Sequence, residues 1–156
     1  MTRKILLWIL FGGMGILLVI AFFSRNALND FISENMKDLT GSENNSVAEL
    51  IDSKYNYSDN GLNYEFTILE FGSTGCTICK QMETELGKVR KSKSSKVNVI
   101  FLNTNYPGNQ NFVKYFGISA IPMQVMLDKN GIEFFKHYGF ISADDMIKKT
   151  MEYSLK

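Results

Sequence analysis

The chain has 156 residues, 45% of them hydrophobic, with 17 basic and 16 acidic side chains, two prolines and two cysteines. That length suffices for one globular domain with its own core and, once the N-terminus is set aside, not for two of ordinary size. The balanced charge supplies no global field that would recruit nucleic acid or an acidic substrate.

Ile5 to Phe23, ILLWILFGGMGILLVIAFF, is nineteen residues without a charge behind the short basic flank of Arg3 and Lys4. At about 1.5 Å per residue such a helix spans roughly 28 Å, about the thickness of a bilayer's hydrocarbon core. A cleaved signal peptide has a shorter apolar region and a small-residue cleavage site; AFFSRNA, residues 21–27, offers no good one. We therefore expect residues 1–4 as a cytoplasmic flank and 5–23 as an uncleaved transmembrane helix. The leading basic flank keeps the N-terminus inside. Residues 24–156 then lie on the extracytoplasmic face, periplasmic or extracellular, where disulfide chemistry is permitted.

Residues 24–45 read as a linker or amphipathic helix, with Leu28, Phe31, Ile32, Met36 and Leu39 at helical spacing. The segment TGSENNS, Thr40 to Ser46, reads as a flexible break, and residues 46–156 form the globular domain. VAELIDSKY is a short helix beginning near Ser46, and YSDNGLN has the composition of a turn. YEFTILEF, Tyr64 to Phe71, is rich in β-branched and aromatic residues and reads as a central strand.

A helix follows at once, with Cys79, Met82, Leu86 and Val89 on one face. The basic run KVRKSKSSK, Lys88 to Lys96, fits a helix C-terminus and a solvated loop. VNVIFLN, Val97 to Asn103, is a second strand, and QNFVKYFG, Gln110 to Gly117, a short helix closed by glycine. MQVMLD and IEFFKHYGF flank the turn DKNG, Asp128 to Gly131, which predicts an antiparallel hairpin. Within it, His137 reads as an exposed strand residue, and Phe134, Phe135, Tyr138 and Phe140 as core and sheet-face residues. The last helix runs from about Ser142 to Tyr153, with Ser142 as N-cap and Asp144 and Asp145 in its first turn. The order strand, helix, strand, helix, strand, strand, helix describes an α/β sheet with one antiparallel hairpin.

Both cysteines stand at the first strand-to-helix junction, in FGSTGCTICKQM. Cys76 would face the partly positive helix N-terminus, with Ser73 or Thr74 as cap, which favours thiolate over thiol. Cys79, one turn on, would lie beneath it. A nucleophile and a resolving thiol are thereby separated. A zinc site would need two further ligands, and the chain has no other cysteine and one histidine, His137. A stabilising staple would close too short a loop to matter. Inert buried cysteines are the remaining alternative, and the β/α context favours redox use.

Pro122, in GISAIPMQVML, directly precedes a strand, where a residue without an N–H needs a special reason. Either it is a trans proline opening an edge strand, or a cis Ile121–Pro122 bond turns the backbone beside the cysteines. In the second case backbone groups there would be open to an extended substrate segment.

FGSTGCTICK, NTNYPGNQNFVKYFGISAIP and VMLDKNGIEFFKHYGFISADDMIKK together resemble the thioredoxin family over roughly residues 46–156. With the anchor, the chain resembles membrane-tethered extracytoplasmic members of that family. The resemblance implies a thioredoxin-like fold, a central mixed sheet flanked by helices. It also implies thiol-disulfide exchange with disulfide-containing or dithiol protein partners, no cofactor beyond the Cys76–Cys79 disulfide, and no metal. Cys76 would attack, Cys79 would resolve, and Pro122 would be cis. Glu70, six residues before Cys76, stands where thioredoxins carry a buried acid; a carboxyl in a central strand has its charged form disfavoured by desolvation, as a proton relay requires. Lys80 matches the family's lysine after the second cysteine and reads as a solvated or steering charge.

Gly75 replaces the family's usual tryptophan, Thr77-Ile78 its Gly-Pro, and Thr84 its helix-kinking proline. Gly75, Thr77, Ile78, Ile121 and Pro122 are the expected substrate-facing residues. Resemblance to tethered members implies net reduction, with electrons from a transmembrane thiol reductase. The alternatives are a chaperone holding Cu(I) between the same cysteines and a tethered adapter whose cysteines are idle.

Overall fold

The computed structural model describes residues 2–38, 43–92 and 96–155. Helix α1, Thr2–Asp38, runs without interruption through the apolar segment and into the expected linker. Trp8 to Ile20 are exposed throughout. Among the described residues no helix is long and apolar enough to cross a membrane; the ends of the predicted span, residues 5–7 and 21–23, lie outside the described side chains.

The far end of α1 meets the globular domain through a polar residue instead of the apolar stripe the sequence predicts. Ser33 is buried, whereas Leu28, Phe31 and Ile32 remain exposed; Met36 and Leu39 lie outside the described side chains. Ser33 Oγ donates to the Phe116 carbonyl at 3.3 Å, and Lys136 Nζ reaches the same carbonyl at 2.7 Å. The approach depends on Gly117, whose φ of +61° is left-handed and whose missing Cβ would collide with the Ser33 carbonyl.

Helix α2, Glu43–Tyr55, begins earlier than expected, so residues 43–46 of the predicted break are helical; residues 40–42 lie outside the described residues. The turn-like YSDN forms a single helical turn, α3, Tyr57–Asn60, ended by left-handed Gly61. Strand β1, Phe66–Gly72, leads to α4, Thr77–Lys91, and then to β2, Val97–Asn103. After a 3-10 turn at Pro107–Asn109 come α5, Gln110–Tyr115, strands β3, Met123–Asp128, and β4, Glu133–Tyr138, and α6, Ala143–Ser154. Ser142 caps α6 as expected, its Oγ accepting from the Asp145 N–H at 3.1 Å.

The sheet order is β2-β1-β3-β4, with β1 and β2 parallel and the other pairs antiparallel. All seven residues of β1 are buried, because helices cover both sides of this central strand. Leu69 and Phe71 pack toward α2 and α5 with Val47, Ile51, Phe112 and Phe116. Ile68 faces α4 and α6 with Met82, Leu86, Val89 and Met146. The α4 stripe read from the sequence, Cys79, Met82, Leu86 and Val89, is its buried face. Phe140 departs from expectation: β4 ends at Tyr138, leaving Phe140 in the following loop, half exposed.

Candidate active site

β1 ends at Gly72 and α4 starts at Thr77, so a short loop carries the chain from sheet to helix. Cys76 itself is the N-cap of α4, and its Sγ accepts from the Cys79 N–H at 3.1 Å. The cap expected from Ser73 or Thr74 is therefore supplied by Cys76 Sγ. Ser73 contributes its carbonyl, which accepts from the Cys76 N–H at 3.2 Å. A sulfur at this place meets unpaired N–H groups and the positive end of a helix, both favouring thiolate.

Cys76 and Cys79 are joined as a disulfide, with Cα atoms 5.2 Å apart. Cys76 is partly exposed and Cys79 is 5% exposed. The asymmetry expected of an attacking and a resolving thiol is thus present in their access to solvent. Among the described residues no group of three or more His, Cys, Asp or Glu side chains is placed to hold a metal ion.

Gly72 makes room for Cys79 Sγ. A Cβ there would lie 3.2 Å from Cys79 Sγ and 2.9 Å from the Phe101 ring. We expect Gly72→Val to cost about 1–3 kcal/mol through overpacking and to push Cys79 out of line with Cys76. Urea unfolding of the oxidised and reduced protein checks this, and equal stability of variant and parent in both forms would refute it.

Glu70, two residues before the end of the central strand β1, is 1% exposed. Burial pushes its carboxyl up from 4.5 to about 7, against the opposing pull of a hydrogen bond from Gln124. Gln124 Nε2 donates to Glu70 Oε2 at 2.8 Å, while Glu70 Oε1 has no partner among the described residues. A cavity of about 380 Å³ joins Glu70 to Cys79, bordered by Phe101 and by Lys80, Glu83 and Arg90 of α4. A carboxyl that titrates near neutrality, connected by open space to the buried thiol, can hold or release a proton there.

The Ile121–Pro122 peptide is cis, and Pro122 is buried. Phe71 pairs with Met123, so extending the register places Pro122 opposite Gly72, at the end of the sheet where the cysteine loop departs. The Pro122 carbonyl accepts from the Gly139 N–H at 2.8 Å. The Gly139–Phe140 loop is thereby fastened beside the proline.

Ile78, Ile121 and Phe140 are apolar side chains 47%, 37% and 50% exposed, while Gly75, Thr77 and Lys80 are exposed on the cysteine loop and first turn of α4. The structure thus collects the predicted site residues at one end of the sheet. Gly72, Phe101, Gln124 and the Gly139–Phe140 loop join them without having been anticipated. Gln124 alone carried a legible signal, a polar residue inside the apolar run MQVML.

Residues 57–154 match the thioredoxin-like domain family. The chloroplastic thioredoxin-like protein HCF164 of Arabidopsis thaliana is 27% identical over 88 residues, covering 56% of this chain and 34% of that one; HCF164 of Oryza sativa matches with the same identity and coverage. The chain thus spans about a third of the length of these curated relatives. Among solved structures, chloroplastic thioredoxin z superimposes with a TM-score of 0.54 at 18% identity, over 64% of this chain and 87% of that one. Thioredoxin-2 of the malaria parasite gives 0.53 at 19% identity, over 58% and 85%. The exposed lipoprotein thioredoxin Etrx1 of Streptococcus pneumoniae gives 0.52 at 16%, over 60% and 88%. These superpositions speak for the fold, and together with the match over residues 57–154 they mean that the chain belongs to the thioredoxin-like domain family.

Proposed function

We propose that this chain is a membrane-anchored thiol-disulfide oxidoreductase that exchanges disulfides with extracytoplasmic proteins, working in the reducing direction. The observation that carries this reading is the Cys76–Cys79 disulfide at the start of α4 with Glu70 buried across a cavity from Cys79. In the reduced protein, Cys76 thiolate attacks one sulfur of a substrate disulfide. A Cys76–substrate bond forms, and the substrate's other sulfur leaves as thiolate. Cys79 then gives its proton to Glu70 and attacks Cys76, which releases the second substrate sulfur. Two electrons pass to the substrate, and the Cys76–Cys79 disulfide remains. A transmembrane thiol reductase would restore the dithiol.

Gly75, Thr77, Ile78, Ile121 and Pro122 form the surface on which the substrate segment rests. Anchoring is supported by the uncharged run Ile5–Phe23 and by the exposure of Trp8 to Ile20, an apolar surface that lipid would cover.

The full chain in detergent, supplied with dithiothreitol, is expected to accelerate reduction of insulin disulfides, and Cys76→Ser to abolish that acceleration. No acceleration by the parent protein, or full activity in Cys76→Ser, would defeat the redox reading. In intact cells a membrane-impermeant thiol reagent should label Cys76 after reduction; absence of label would overturn the outward placement of the domain.

A further inference from the structure

Gln124 is a fully buried polar side chain in β3, the strand beside β1. Its place in the register is opposite Glu70 on one side and His137 on the other. A buried amide is tolerated only when its polar atoms are paired, and the partners here are unequal. Nε2 donates to Glu70 Oε2 at 2.8 Å and to the Gly139 carbonyl at 3.3 Å. Oε1 is buried without a partner among the described residues, as is Glu70 Oε1. While Glu70 is ionised, both of these orphaned oxygens are acceptors. A proton on Glu70 adds the one donor that the pair lacks.

The other contact of Gln124 leads to the substrate-facing surface. Gly139, whose carbonyl accepts from Gln124, donates its own N–H to the Pro122 carbonyl at 2.8 Å. Phe140 follows, its side chain half exposed and its carbonyl 3.1 Å from His137 Nε2. One amide therefore touches both the proton-carrying carboxyl and the loop that borders the cis-proline.

We propose that Gln124 is a positioning residue that orients the Glu70 carboxyl toward Cys79 and couples its protonation to the Gly139–Phe140 loop. When Glu70 is ionised, its charge draws Nε2 and weakens the longer bond to Gly139. When Glu70 takes the proton of Cys79, that pull relaxes and Nε2 holds the loop more firmly. The resolving step, in which Cys79 loses its proton, is thus linked to the loop facing the leaving substrate. Other charges facing Glu70 are Lys80, Glu83 and Arg90 from α4 across the cavity, with His137 in the same cross-strand row from β4. Of these, His137 also touches the loop and is the competing source of any pH dependence there.

The coupling rests on the redox reading above for its use in catalysis, yet its physical core is measurable without turnover. In the full chain, followed by NMR, the Gly139 amide resonance is expected to titrate with the Glu70 carboxyl. That titration should persist in His137→Gln and vanish in Glu70→Gln and in Gln124→Met, which conserves volume and removes both hydrogen bonds. Loss of the donor should also move the Glu70 titration to higher pH, by about tenfold in proton affinity, the effect of removing one hydrogen bond from a buried charge. In insulin reduction, Gln124→Met should shift the pH–rate profile in the same direction and raise KM for the protein disulfide. The reactivity of Cys76 toward a small thiol reagent at alkaline pH should stay unchanged.

A Gly139 amide that does not titrate in the parent, or titrates unaltered in Gln124→Met, overturns the inference. If the parent reduces insulin and Gln124→Met keeps its pH profile and KM, the inference falls while the redox reading stands. If the parent reduces nothing but the NMR coupling holds, the redox reading falls and the coupling stands. Should Gln124→Met fail to fold, the comparison of parent with Glu70→Gln decides the matter, because an identical Gly139 titration in both removes Glu70 as its origin.

Discussion

Under the proposed function, replacing Cys79 with serine is expected to stop turnover and leave Cys76 covalently joined to protein substrates. The reason is kinetic. Cys79 lies one helical turn from Cys76, with Cα atoms 5.2 Å apart and its N–H already on Cys76 Sγ. Well-oriented intramolecular attack has an effective molarity that reaches on the order of 10⁵ M. Millimolar external thiol is a poor replacement, and release of the mixed disulfide should slow by several orders of magnitude. Non-reducing electrophoresis of membranes carrying Cys79→Ser should show high-mass adducts that collapse on reduction, and Cys76→Ser should show none. Unimpaired turnover by Cys79→Ser would remove its role as resolver. Adducts on Cys76→Ser in place of Cys79→Ser would reverse the two roles, against the greater exposure of Cys76. Stability is a minor concern for this variant, because the loop closed by the disulfide is short and constrains the unfolded chain little.

Legibility in the sequence followed the range of the interactions. The strands, the hairpin and the α4 stripe declare themselves through local periodicity and turn chemistry, and Val97–Asn103 is found at its predicted bounds. The Cys76–Cys79 pair declares itself through spacing and its place at a strand-to-helix junction. Partnerships across strands are another matter. That Gln124 lies opposite Glu70, or that Gly139 takes the Pro122 carbonyl, depends on register, and a slip of one residue would put each side chain on the other face.

The same holds for Gly72, whose lack of a side chain matters only because Phe101 and Cys79 converge on it. The cap of α4 escapes the sequence for a local reason: serine and threonine are the usual N-caps, yet here Cys76 Sγ takes the place. At the other end of the chain, the helical spacing of Leu28, Phe31 and Ile32 indicates an apolar stripe, but it does not indicate which face meets the domain. Gly117 admits only a close, small contact, and Ser33 makes it.

Glu70→Gln should make the domain more stable at neutral and alkaline pH while slowing the resolution of mixed disulfides. The sign follows from linkage. Burial raises the folded-state carboxyl to about 7 from an ordinary value of 4.5, so between those limits the folded chain holds a proton that the unfolded chain has released. Stability therefore falls as pH rises through this window and levels off above it. The displacement corresponds to about 3 kcal/mol of unfavourable free energy at pH 8, nearly all of it absent at pH 4, where both states are mostly protonated.

Glu70→Gln keeps the shape and an acceptor for Gln124 Nε2 but removes the charge. Its urea midpoint should match the parent near pH 4, exceed it by an amount that grows from pH 4.5 to about 7, and stay above it thereafter. Parallel stability curves across that range would show that Glu70 does not titrate there. In the proposed mechanism the same substitution deprives Cys79 of its proton acceptor, and loss of a general base costs on the order of 100-fold in rate. Rapid-quench measurement of mixed-disulfide decay at pH 7 should show that slowing, whereas initial attack by Cys76 should proceed at the parent rate. A variant that gained stability above pH 7 but resolved disulfides at full speed would mark Glu70 as a buried acid whose proton plays no part in exchange.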